Sequence, residues 1–201
     1  MLSKVMMVLI MILAFGTSLF FNGNKIQLDE STYGPSTVLL FSIPFTILLI
    51  ITQFFLLTRV KRLSRYYTRF EKGLNGIFLV LTIFLFALHT ALLLLASGYK
   101  LNPLLLLPIG VGLILMLTGN SLPRFKLDIT DTSTPNYSPY KTYNSIVRPS
   151  SYSLFIGGSI MIFCVFLPDH LLLIGFFTIL TLTLGFAIVK GIQGYVQNIH
   201  F

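Results

Sequence analysis

The sequence predicts an all-α polytopic membrane protein with about six transmembrane helices and both termini cytoplasmic. Three observations carry that reading. Hydrophobic residues fill 55% of the 201 positions against 10% charged, and mean hydropathy is +0.87, a composition unsuited to a water-facing surface. The apolar residues gather into runs near the ~20 residues that cross a hydrocarbon core, and they do not alternate as barrel strands would. The cations lie in short stretches between these runs, distributed unevenly between the two sides.

The six runs follow in order. Val5–Phe21 comes first, behind Lys4. Its small residues Gly16, Thr17 and Ser18 resemble the end of a signal peptide, but "GTSLFFNGN" has no A-x-A site and the apolar run continues through Phe21, so the span is expected to be retained. Val38–Leu57 is the second and carries Thr52 and Gln53, while Leu74–Ser97 is the third and carries His89. Leu101–Thr118 holds Pro108, Gly110 and Gly112, which predict a kinked or closely packed fourth helix. Ser153–Leu167 and Leu171–Val189 complete the set; the last carries Thr178, Thr181 and Thr183, hydroxyls able to bond across helices or back to their own carbonyls. Every tyrosine stands outside or at the edge of a run, where an amphipathic ring is favoured.

Alternate loops face opposite sides, and this sorting places twelve cations on one side: Lys4, Arg59, Lys61, Arg62, Arg65, Arg69, Lys72, Arg124, Lys126, Lys141, Arg148 and Lys190. Only Lys25 and Lys100 fall on the other. The positive-inside rule makes the twelve cytoplasmic, together with both termini and the 58–73 and 119–152 loops. The chain divides by sequence into an N-terminal two-helix segment, 1–72, and a four-helix segment, 73–201.

The net charge of +8 does not imply nucleic acid, because the basic stretch "RVKRLSRYYTRFEKG" sits between two spans, as a topology determinant beside anionic lipid headgroups does. Membrane lipids are therefore the first expected partner. The 119–152 loop is rich in Ser, Thr, Pro, Asn and Tyr, too polar for lipid; it reads equally as a docking strip and as a flexible connection.

Few residues offer chemistry. Cys164 is the single cysteine, which excludes an internal disulfide and a thiolate cluster. The spans contain no carboxylate pair, H-E-x-x-H, G-x-S-x-G or phosphate loop, so no catalytic, cofactor or metal site is expected and the chain reads as a non-enzyme. His89 is the intramembrane polar candidate: an ionisable group at that depth costs free energy unless it finds a partner. Thr82, His89 and Ala96 share one helical stripe, expected to face other helices, with the imidazole neutral and bonded to a carbonyl or threonine.

The segment "LTGNSLPRFKLD" closes the fourth run. Gly119 is expected to end the helix in the left-handed conformation, Asn120 to satisfy nearby backbone, Pro123 to stop continuation, and Arg124 to favour the negative helix end. Its core, "GNSLPRFK", resembles the Gly-Asn-x-(Leu/Met)-(Pro/Gly)-(Lys/Arg) element of the six-span SdpI immunity family. Thr134-Pro135 stands where relatives carry a Thr-Pro, Arg148 lies near the basic element before the fifth span, and "SLFIGGSIMI" is similar to the start of that span. Upstream, "STYGPSTVLLFSIPFTILLI" is similar to the tail of a small domain often found before this module. Asn136 stands at the family's first tryptophan position and Asn144 falls near the second, the mark of a divergent member.

The resemblance implies protection of a bacterial cell against a membrane-active peptide or protein toxin and, in the family's type member, capture of a cytoplasmic regulator. It makes Gly119, Asn120, Leu122, Pro123, Arg124, Thr134, Pro135 and Arg148 the family-motif and partner-binding candidates. The alternative is a small permease subunit of an exporter working with a separate ATPase, built on the fourth helix and the polar stripe of the third.

Overall fold

The computed structural model describes residues 2–23, 35–59, 61–124 and 139–199. These are helical throughout, apart from short connections. In chain order they form α1 (Leu2–Gly23), α2 (Ser36–Arg59), α3 (Lys61–Ala96), a 3-10 turn (Pro103–Leu105), α4 (Leu106–Ser121), a second 3-10 turn (Leu122–Arg124), α5 (Pro139–Ile162), a third (Phe163–Phe166) and α6 (Asp169–Ile199). Among the described residues six segments are long and apolar enough to cross a membrane: Leu2–Asn22, Ser36–Leu57, Gly73–Ala96, Pro103–Ser121, Ile146–Phe166 and Asp169–Val196. Only 17% to 33% of each one's apolar window is buried inside the protein, leaving far more apolar surface exposed than a water-soluble monomer carries.

Two helices begin several turns before the apolar runs they carry. The basic stretch expected as a loop is the first part of α3, which starts at Lys61; Lys, Arg, Leu and Glu are good helix formers and no proline interrupts them. Likewise α5 starts at Pro139, so the second half of the expected 119–152 loop is helix. Proline suits a first helical position, and Pro149 is accommodated inside α5. Hydropathy detects where lipid begins, whereas the helix begins where the backbone permits it.

Local chemistry sets the ends. At the end of α3, Gly98 adopts φ 91°, a left-handed value that a side chain disfavours. The Tyr99 N–H then bonds Leu94 O at 3.1 Å and the Gly98 N–H bonds Leu95 O at 3.0 Å, a Schellman closure. Asn102 opens the next turn by accepting the Leu104 N–H on Oδ1 at 3.1 Å. Asp169 places a carboxylate in the first turn of α6, where the helix dipole favours it.

The chain packs as two units, Met1–Gly110 and Val111–Phe201; the expected 72/73 boundary falls inside the first. In the first unit α1, α2 and α3 pack on one another. Met7 and Ala14 of α1 meet Ile47, Ile51 and Phe54 of α2, each set at helical spacing, and the Phe54 ring lies 4.9 Å from that of Phe78 on α3. Lys4 Nζ reaches Glu71 Oε1 at 2.9 Å, tying α1 to α3 by an ion pair. Gly110 packs under Phe84, whose ring occupies the space a Cβ would take.

In the second unit α5 and α6 run antiparallel. Ser150 Oγ donates to Ala187 O at 2.8 Å, and Gly157 receives the Thr183 side chain. The remainder of α4 meets the other side of α5. A Cβ on Gly112 would lie 2.7 Å from Gly158 O, and a Cβ on Gly119 would lie 2.6 Å from Ser151 O. The seven-residue step Gly112 to Gly119 thus faces the step Ser151 to Gly158, and backbones touch because these positions are small. Adjacent glycines divide the work: Gly157 admits α6 and Gly158 admits α4. Close packing is what the fourth-helix glycines provide, and Pro108 stands in the first turn of α4, where its missing N–H breaks no intrahelical bond.

Candidate functional site

Two constellations gather polar side chains among apolar helices. The first lies inside the first unit and contains His89. Helix α2 carries Pro44, which has no N–H, so the carbonyl four residues back, Leu40 O, loses its intrahelical donor. In hydrocarbon an unsatisfied carbonyl costs several kcal/mol, roughly, unless a neighbouring helix supplies a donor. Ser18 of α1 supplies it: its Oγ lies 2.5 Å from Leu40 O and 3.0 Å from Ala14 O. His89 Nε2 of α3 stands 3.0 Å from the same Oγ. Ser18 has one proton, and the short contact directs it to Leu40 O; the imidazole therefore donates from Nε2–H to the Ser18 oxygen. One hydroxyl thereby links three helices.

His89, Thr82 and Ser18 are each fully buried, and Ala96 nearly so. Thr82 Oγ1 bonds its own helix, at Phe78 O, 2.8 Å away. In this tautomer Nδ1 of His89 is a lone-pair acceptor, and it has no hydrogen-bond partner among the described residues. The polar stripe of α3 is thus sealed by α1 and α2. Ser18 was invisible as a partner in the sequence, where it read only as a small residue; the signal was the combination of a hydroxyl in one span with a proline in the next.

The second constellation lies in the second unit and contains the "GNSLP" residues. Gly119, Asn120 and Pro123 line a recess of about 580 Å³ together with Arg148, Ser151, Tyr152 and Phe155 of α5. Gly119 is helical and buried, so its role is close approach: a Cβ there would strike Ser151 O and lie 2.8 Å from Phe155 N. That corrects the expected left-handed helix stop, a conformation found among the described glycines only at Gly98. Asn120 is exposed at the end of α4, and Pro123 lies in the 3-10 turn Leu122–Arg124 that follows. Across from them Arg148 and Tyr152 share one face of α5 at a four-residue step, both exposed. Ser151 Oγ donates to Arg148 O at 2.7 Å, which keeps that hydroxyl on its own helix.

Of the sequence-derived candidates, the structure brings Gly119, Asn120, Pro123 and Arg148 around one recess. Leu122 and Arg124 belong to the adjoining 3-10 turn, and Thr134 and Pro135 lie outside the described residues. Ser151, Tyr152 and Phe155 carry no motif of their own: the first two close the polar 119–152 stretch and Phe155 lies in the apolar run that follows. Their helical periodicity with Arg148 was the available signal.

Chemically the recess offers a guanidinium with five donors in a planar fork, a phenol and a primary amide, groups that hold a carboxylate, phosphate or peptide carbonyl. Arg148 makes no ion pair among the described residues. No group of three His, Cys, Asp or Glu side chains converges among them either.

Of the other polar residues in the spans, Thr52 bonds Leu48 O of its own helix at 2.8 Å, and Gln53, Thr178 and Thr181 are exposed. Thr183 alone of these is buried, against Gly157. Compared with models of protein families, with curated proteins and with solved structures, the chain matches none.

Proposed function

We propose that this chain is a multi-pass protein of the bacterial cytoplasmic membrane, with both termini cytoplasmic, that protects its cell from a membrane-active peptide or protein toxin without catalysing a reaction. The observation that carries the reading is the recess: Gly119, Asn120 and Pro123, neighbours in sequence, line one cavity with Arg148 from the next span, all of them singled out by their likeness to the SdpI family. A helix stop at a lipid surface would use the same residue types without collecting them around a shared space. The recess belongs to the cytoplasmic side of the proposed topology, where its exposed arginine meets a cytoplasmic regulator, while the outward loops and lipid-facing helix surfaces meet the toxin.

In the polar stripe of α3, the anchor of a permease reading, His89 is bonded to Ser18 and Thr82 to its own helix. Expression of the chain in a toxin-sensitive strain tests the proposal. Survival on challenge with a toxin encoded beside its gene supports immunity. Uniform killing, with stable co-purification of an ATPase, favours the exporter subunit instead.

A further inference from the structure

We propose that the groove between α5 and α6 binds one anionic phospholipid, with the phosphate at Lys190 and an acyl chain lying along Ile156, Ile160, Ile179 and Leu182. The groove has a volume of about 790 Å³ and lies wholly within the second unit. The inference rests on the membrane-spanning part of the functional reading; immunity itself is not needed.

The helix register orders the lining by depth. Ser150 bonds Ala187 O and Gly157 receives Thr183, so residues near 150 are level with those near 187, and residues near 157 with those near 183. One end of the groove therefore carries Pro149, Tyr152, Lys190 and Gln193, and the other Ile156, Ile160, Ile179 and Leu182. Every polar group able to meet a headgroup except Ser153 and the floor hydroxyl of Thr183 is at the first end. Gly157 has no side chain, which lets Thr183 settle between the helices and leaves a channel above it.

The length is that of one leaflet. At 1.5 Å per residue, Lys190 and Ile179 are separated by about 16 Å along α6, against about 15 Å for half of a ~30 Å hydrocarbon core. Any exposed apolar surface in a bilayer is wetted by acyl chains. A slot of one-leaflet depth with its cation, amide and phenol collected at the mouth selects for the headgroup as well.

The charge selects the sign. No carboxylate lines the groove, and Lys190 makes no ion pair among the described residues. Its ammonium is thus available to a lipid phosphate. The Tyr152 ring is exposed at the same end, the position an interfacial tyrosine favours.

The test is native mass spectrometry of the full chain, released from vesicles holding equal phosphatidylglycerol and phosphatidylcholine. The expected result is one retained phosphatidylglycerol per chain. Lys190→Gln should lower the ratio of the anionic to the zwitterionic lipid about fivefold, the effect of one interfacial cation, and Lys100→Gln should leave it unchanged. Ile156→Trp fills the slot without altering charge and should lower retention of both lipids. Equal retention of the two lipids by the native chain, or unchanged retention in Lys190→Gln and Ile156→Trp, overturns the site. So does a groove found occupied by a peptide or a second copy of the chain. A chain stripped from membranes by alkaline carbonate overturns the spanning reading and the site with it, whereas one that stays in the membrane and retains no lipid overturns the site alone.

Discussion

The Ser18 hydroxyl donates to the Leu40 carbonyl oxygen at 2.5 Å, and that carbonyl is the one Pro44 deprives of its helical donor. A defect in one span is thus repaired by a side chain of another, and His89 completes the link from a third. The coupling is directly testable. Ser18→Ala should cost about 1 kcal/mol of unfolding free energy, the scale of interhelical hydrogen bonds in membranes. In Pro44→Ala the new N–H can serve Leu40, so the same Ser18→Ala change should cost measurably less. Reversible unfolding in mixed micelles of both single variants and the double gives the coupling energy.

The glycine contacts of the second unit predict a graded series. Gly158→Ala places a methyl 2.6 Å from Gly112 O and 2.9 Å from Met116 N, backbone atoms that cannot rotate away. Overpacking of this kind costs about 1–3 kcal/mol. Gly16→Ala and Gly185→Ala meet nothing within 4 Å and should leave thermal stability in micelles unchanged or slightly raised.

At the end of the first unit, the hydrogen bond and charge of Lys4 hold the Glu71 carboxyl below its ordinary value of 4.5. A carboxylate favoured in the folded state adds stability that is complete above the ordinary value and lost as pH falls through the lowered one. Both side chains are partly exposed, so the contribution is small. Lys4→Ala should raise the Glu71 midpoint toward the ordinary value, read from the carboxyl carbon shift in an NMR titration.

The proposed sidedness rests on the cation distribution. In a Cys164→Ser background, Lys100→Cys and Asp169→Cys should react with an impermeant maleimide added to intact cells, and Lys72→Cys only after the membrane is opened. The reverse pattern would invert the topology.

Much of the fold was legible because hydrocarbon is a demanding solvent. Each of the six spans appears in the sequence as a predominantly apolar run, and helical spacing alone puts Thr82, His89 and Ala96, all buried, on one face. What was hidden lies outside that signal. The helical starts at Lys61 and Pro139 are polar, where hydropathy is silent and backbone preference decides. The Gly112–Gly158 contact is visible only when two seven-residue steps on different helices are set side by side. At the recess, Gly119, Asn120, Pro123 and Arg148 were legible as a pattern, but Tyr152 and Phe155 were not, because an aromatic residue at the edge of a span is already accounted for by the interface.

Whether the recess serves protection is read from survival of a toxin-sensitive strain expressing the chain or its Arg148→Ala and Asn120→Ala variants, at matched amounts in the membrane. Survival is expected with the native chain and with Gly16→Ala, and a fall of at least tenfold with each recess variant. Equal survival across native chain and recess variants would contradict that role.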